Sequence, residues 1–123
     1  VDWFAALMQR AVTAYPKSYP VNAPQDTAFP YATLQDITEL RPQTLTDWDL
    51  EFARIQIDTW AESVAEARTA METLIAALVT GDDSNGHTFQ RADIALGPRD
   101  VGGEKQGDTI IYRRSADLMI PHS

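Results

Sequence analysis

The sequence predicts an α+β fold: an antiparallel sheet of about four strands in two hairpins, with an N-terminal helix and one main central helix packed on one face. Two observations carry this. From Leu50 to Trp60 the chain alternates, with Ala53, Ile55, Ile57 and Thr59 on one side and Arg54, Gln56 and Asp58 on the other. Period-two alternation marks a strand with one face in a core and the other wetted or held against a partner. Directly behind it, Val64, Ala67, Met71, Leu74, Ile75 and Leu78 recur at three- and four-residue intervals, the apolar stripe of a helix. Helices gathered on one face of an antiparallel sheet are the layer arrangement these patterns favour.

The elements follow in order. Asp2 to Ala14 reads as a helix, since Phe4, Leu7, Met8, Ala11 and Val12 share a stripe with Trp3 beside it, and Pro16 stops it. Lys17 to Ala28 contains Pro20, Asn22, Pro24 and Asp26 and reads as an irregular connection, with a short extended piece at Ser18 to Val21. Tyr31 to Glu39 is the first strand. Leu40 to Asp49 is a loop or a protruding hairpin tip, because Pro42 bars a regular ladder. Leu50 to Trp60 is the second strand. Ser63 opens the main helix with a capping box to Glu66, in which hydroxyl and carboxylate each satisfy an orphan amide; Gly81 is placed to end it in the left-handed conformation. Gly81 to His87 is a turn cluster, Phe89 to Leu96 a third strand, and Thr109 to Ile120 the last. Between these, Gly97 to Gly107 holds Gly97, Pro98, Gly102, Gly103 and Gly107, which predicts a mobile loop. Residues 1–123 form a single domain, with no internal repeat and a length able to bury a core.

Composition narrows the function. There are no cysteines, which excludes disulfides and thiolate metal sites. No apolar run is long enough to span a bilayer, and the first residues lack the pattern of a secretory signal, so a cytoplasmic protein is expected. The net charge is −8, and it is uneven: from Asn22 to Glu66 nine acids face two bases. Backbone binding to nucleic acid needs clustered Lys and Arg, so direct DNA binding is not expected. The acidic segment reads as a solvated face, or else as the wall of a channel past which DNA slides.

Candidate chemistry is thin. Asp82, Asp83 and His87 lie in a Ser-Asn-Gly turn, where Asp and Asn are favoured for bonding their own backbone, so a metal site is not expected. His122, two residues from the end, reads as frayed. No Ser or Thr has a well-placed His and acid for a nucleophilic triad. Gly102-Gly103-Glu104-Lys105 lacks the spacing of a phosphate-binding loop. Asp58 and Glu62 read as solvated acids and Met71 as core. No catalytic residue, cofactor or metal is therefore expected. Trp3 reads as helix packing, Trp60 as a cover for the start of the main helix, and Trp48, between Asp47 and Asp49 in a polar loop, as an interface anchor or a residue tucked back on the sheet.

The order FPYATLQDI (29–37), ARIQIDTWAES (53–63) and EARTAMETLIAAL (66–78), closed by YRRSADLMI (112–120), resembles the phage tail-completion proteins, or tail terminators, a family formerly filed as a domain of unknown function. The likeness runs from about Tyr19 to Ile120 and rests on order and spacing rather than on one diagnostic motif. It implies a non-enzymatic virion protein that forms a ring, typically a hexamer, at the head-proximal end of the tail. Its partners would be other copies of itself, the tail tube protein and the head–tail connector or stopper. DNA would pass through the lumen without sequence-specific binding, and no membrane is involved. In that setting the Arg54, Gln56 and Asp58 row is expected to meet a neighbour, Leu45 and Trp48 to supply apolar anchors, and Arg99 and Lys105 to supply charged contacts. Two alternatives stay open: a head-completion or neck adaptor protein, and a small ligand-binding α+β domain, which would need a pocket with convergent polar groups.

Overall fold

The computed structural model describes residues 2–38, 51–84 and 86–122, with backbone alone at 51 and 82–84. The expected loop from Leu40 to Asp49, with its anchors Leu45 and Trp48, lies outside the described residues.

Helix α1 (Trp3–Ala14) begins at Asp2, whose carboxylate accepts the Ala5 amide at 2.7 Å. Among the described residues seven strands follow: β1 (Ser18–Pro20), β2 (Tyr31–Asp36), β3 (Glu51–Ala61), then helix α2 (Val64–Val79), then β4 (Asp82–Ser84), β5 (His87–Phe89), β6 (Asp93–Gln106) and β7 (Thr109–His122). They form one sheet in the order β1-β2-β3-β7-β5-β4, with β6 also paired to β7. The sheet is strongly curled and mixed, since β1 runs parallel to β2 while every other pair is antiparallel.

This corrects the expected sheet of about four antiparallel strands with one main helix. One part of the difference is the β4–β5 hairpin, which stands where a turn cluster was expected from Gly81 to His87 and takes Phe89 away from the third strand. Two further features account for the rest. The first is β1, three residues long and closed by Pro20, too short to leave a periodic signal. It is held where Ala32 donates to the Lys17 carbonyl at 2.9 Å and Val21 to that of Leu34 at 2.8 Å. The second is the segment expected to be a mobile loop, which is strand β6. Its pairing with β7 shifts register between Ile94 and Leu96, Leu96 and Arg99, and Asp100 and Gly102. Pro98 falls inside one of these gaps, where its missing N–H takes no bond from the ladder. The glycines serve the irregularities and the two-residue turn at Gly107 and Asp108, where Gly107 takes a φ of +62°.

The expected alternation of β3 holds. Ala53, Ile55, Ile57 and Thr59 are buried, and they pack with Ala32 and Leu34 of β2 and Ala116, Leu118 and Ile120 of β7. Leu7 and Ala11 of α1 and Met71, Leu74 and Leu78 of α2 complete the core. Ser63 caps α2 as expected, accepting the Glu66 amide at 3.1 Å. Gly81 plays a different part from the one expected. Thr80 is the C-cap, and a Cβ on Gly81 would stand 2.9 Å from the Phe89 carbonyl oxygen. The glycine therefore admits the close approach of β5 to the end of α2. The helix end is secured by Arg10, which donates to the carbonyls of Ala77 at 2.9 Å and Thr80 at 2.6 Å and lies over the Phe89 ring.

Candidate assembly surface

Alternation along β3 sends Arg54, Gln56, Asp58 and Trp60 to the face of the sheet away from the helices. Register brings residues of β7 beside them: Asp117 opposite Gln56, Ser115 opposite Asp58, and Arg113 opposite Trp60. The result is a polar ladder of two hydrogen-bonded groups side by side. Arg54 donates to Asp117 Oδ2 from Nε at 3.0 Å and from an Nη at 2.8 Å. Arg113 Nε donates to Asp58 Oδ1 at 3.1 Å, and Gln56 Nε2 to Asp58 Oδ2 at 2.8 Å. The two aspartates are buried although no helix covers them, while the arginines remain partly exposed. The guanidinium groups lie across the carboxylates and shield them, so each acid is removed from water only in company with its counter-charge.

The same face leaves three buried polar atoms without a hydrogen-bond partner among the described residues: Trp60 Nε1, Ser115 Oγ and Asp117 Oδ1. Both Arg54 nitrogens address Oδ2 of Asp117, which leaves Oδ1 over.

An aromatic row borders the ladder. Phe29 stacks on Tyr31 at 5.2 Å between ring centroids, Tyr31 on Trp60 at 6.2 Å, and the Arg113 guanidinium lies 5.0 Å from the Trp60 ring. Tyr19 meets Tyr31 edge-on at 6.5 Å. Burial holds the Tyr31 phenol above its ordinary pKa. The expectation that Trp60 covers the start of α2 is thus corrected: it points to the opposite face, as the alternation of β3 requires.

The third part is the β6–β7 hairpin. The last β3 residue paired with β7 is Ala61, opposite Tyr112. Beyond that, Glu104 to Ile111 are paired only with each other as a two-stranded arm, in which Ile111 is buried and Ile110 exposed. Every residue of β6 is exposed, and Ile94, Leu96, Val101 and Ile110 are large apolar side chains left in solvent. Asp100 ties the base of the arm down, taking Arg114 at 2.7 Å and Arg68 of α2 at 3.7 Å.

The structure brings Arg54, Gln56 and Asp58 onto one face, with Gln56 bonded to Asp58 and Arg54 paired separately with Asp117, and Arg99 lies opposite Ser115 at the border. Lys105 stands apart, opposite Ile110 near the tip of the arm. Sequence reading overlooked Arg113, Ser115 and Asp117 as members of the ladder, although YRRSADLMI carries them at the alternate spacing of a strand. His122, expected to be frayed, is buried and stacks on Trp3 at 4.4 Å, with Phe89 nearby at 6.2 Å. An open depression of about 570 Å³ lies between the C-terminal ends of α1 and α2, and Arg10 in its wall is already engaged with the α2 carbonyls. Among the described residues, no three His, Asp or Glu side chains are grouped to hold a metal, and no helix is long and apolar enough to cross a membrane.

The sequence profile of the tail completion protein gp17 family matches residues 3–109. No curated protein matches. A solved structure of a protein 14% identical in sequence superposes with a TM-score of 0.51, covering 95% of this chain and 92% of that one, and so shares the fold.

Proposed function

The chain belongs to the tail completion protein gp17 family, and from that membership we propose that it forms a ring which closes the tail tube and joins it to the head connector. The family is one of structural phage tail proteins, and this chain is a virion-associated tail protein that works in contact with other tail components. The family match over residues 3–109 carries the finer reading. The surface supports it. A protein working alone has no use for a projecting arm with exposed aliphatic side chains, or for an organised charged face beside an aromatic row. A hexamer is the proposed closed state: a head-to-tail contact that closes generates a ring, and the resemblance to the tail terminators implies six copies.

DNA passes through the lumen of this ring without being held. The net charge of −8 repels the duplex, so the purified protein is expected to leave a labelled duplex unshifted at physiological salt. The decisive experiment is a reconstruction of virions whose subunit carries a small fused label. Density at the head-proximal end of the tail, at a copy number that forms a ring, is the expected result. Label away from the tail axis, or at a stoichiometry that cannot close, overturns the reading.

A further inference from the structure

We infer that Arg99 and Asp100 form a two-sided clasp on strand β6: the half at Asp100 is made in this structure, and the half at Arg99 closes onto Oδ1 of Asp117. The clasp belongs to the single subunit and does not depend on the ring.

Among the described residues β6 is held to the sheet through β7 alone. That ladder shifts register three times between Ile94 and Gly102, and every side chain of β6 is exposed. A stretch with a broken ladder and no buried side chain opens easily, so ties made by its side chains count for more there.

Arg99 and Asp100 stand in the middle of this stretch, and successive residues of a strand face opposite ways. Asp100 turns to the helix side. Its Oδ1 takes Arg114 at 2.7 Å, and its Oδ2 lies 3.7 Å from Arg68 of α2. Arg99 is opposite Ser115 and so belongs to the far face, beside the polar ladder.

One charge of each sign is left over there. Both oxygens of Asp58 are taken, Oδ1 by Arg113 and Oδ2 by Gln56. Asp117 receives both Arg54 nitrogens on Oδ2, and its buried Oδ1 has no partner among the described residues. Arg54, Arg68, Arg113 and Arg114 each hold a carboxylate, whereas Arg99 holds none among the described residues.

The two lie one diagonal step apart. Asp117 is two residues along β7 from Ser115, the residue opposite Arg99. Diagonal cross-strand neighbours stand about 7–8 Å apart, within reach of a long side chain. The other diagonal neighbour is Arg113, which repels a guanidinium and favours the turn toward Asp117. Ser115, between them, is too short to block the path. Strand β3 flanks β7 on one side and β6 on the other, so the carboxylate held by Arg54 from β3 is open to a second arginine from β6. A charged donor is the partner that a buried carboxylate oxygen gains most from.

Chemical denaturation at low salt tests the clasp through a double-mutant cycle of Arg99→Gln and Asp117→Asn. In the parent chain Arg99→Gln should raise the unfolding constant about three- to tenfold, as for loss of a partly buried charge pair. Beside Asp117→Asn the same change should alter it less than about twofold. Amide exchange between Leu96 and Gly102 should quicken in Arg99→Gln and no further in the double variant. Equal effects of Arg99→Gln in both backgrounds, or no effect in the parent, overturn the inference and leave Arg99 in solvent. Asp117→Asn also weakens the pair with Arg54. Should it fail to fold, Arg99→Glu and Lys105→Glu decide. Both change the net charge equally on the same strand, but only the first sets a carboxylate against Asp117. An unfolding constant raised about threefold or more by Arg99→Glu relative to Lys105→Glu supports the clasp, and equal values overturn it.

Discussion

The two faces of β3 are one stretch of backbone put to different uses. Toward the helices, Ala53, Ile55, Ile57 and Thr59 lie in a close-packed apolar core, and the single hydroxyl among them donates to the Ala67 carbonyl at 2.9 Å. Away from the helices, Arg54, Gln56, Asp58 and Trp60 join a ladder that is neither wet nor fully satisfied. Asp58 and Asp117 are as hidden as many core residues, yet Trp60 Nε1, Ser115 Oγ and Asp117 Oδ1 have no partner among the described residues. The first face is what holds the subunit together. The second costs free energy to maintain, because a buried polar atom left unpaired forfeits its bond to water. A sheet face of that kind persists where something other than subunit stability maintains it.

The difference is broken most directly on the helix side. Ile57→Ala removes a fully buried side chain between α2 and the sheet. It should destabilise the purified subunit by about 2–5 kcal/mol, the range for truncating a large core aliphatic. Chemical denaturation with an unchanged m-value checks this. A loss below about 1 kcal/mol, smaller than such truncations give, means that the helix layer is not what holds β3.

Asp58→Ala, on the opposite side of the same strand, removes the acceptor of both Arg113 and Gln56. Each partner is partly exposed and recovers water, so the expected loss is smaller, about 1–3 kcal/mol, in keeping with charge-assisted bonds near the surface. High salt should reduce the loss, whereas the effect of Ile57→Ala should not respond to salt. If both losses prove equally insensitive to salt, the ladder acts as packing and the contrast between the faces is lost.

How much of this contrast is legible in the sequence depends on which signal each residue leaves. The core face of β3 and the stripe of α2 are plain, because burial imposes a strict period on side-chain type. The ladder is half legible: Arg54, Gln56 and Asp58 alternate visibly, but their partners Arg113 and Asp117 lie more than fifty residues away, and only the register of β3 on β7 unites them. Trp60 belongs to the same alternation, and continuing it by one step gives its true direction. Strand β6 is hidden for a different reason. Glycine and proline are read as loop signals, yet in an edge strand with register shifts they occupy the positions the ladder skips. The burial of His122 leaves no local trace at all, since it depends on Trp3 from the opposite end of the chain. Leu45 and Trp48 fall outside the described residues, and their part in assembly stays a proposal.

Ser115→Ala tests the far face by sign rather than by size. Its hydroxyl is buried without a partner, and methyl in its place removes an unmet polar group at almost the same volume. The substitution should leave stability unchanged or raise it by up to about 1 kcal/mol. A clear loss in thermal unfolding shows that the hydroxyl is bonded in solution, and that the ladder is better satisfied than its geometry suggests.

The smallest expected effect separates the faces by cause. Tyr31 on the aromatic row and Tyr15 beside the helices both hold their phenolic protons above the ordinary pKa of 10.0. For Tyr31 the cause is burial; for Tyr15 burial comes first, and the negative charge of Glu66 adds to it. Both folded-state values lie above the unfolded one, so the stability each contributes is complete below pH 10.0 and is lost as pH climbs from there through the raised pKa. Replacing either tyrosine by phenylalanine should make the melting temperature fall less steeply over that alkaline window. Salt should tell them apart. It screens the Glu66 charge but does nothing to burial, so the alkaline loss due to Tyr15 should shrink with added salt while that due to Tyr31 persists. Tyr15→Phe and Tyr31→Phe melted across the window at low and high salt give the comparison. If the Tyr31 contribution fades with salt as well, a charge on the aromatic row, rather than its partial removal from water, sets that phenol.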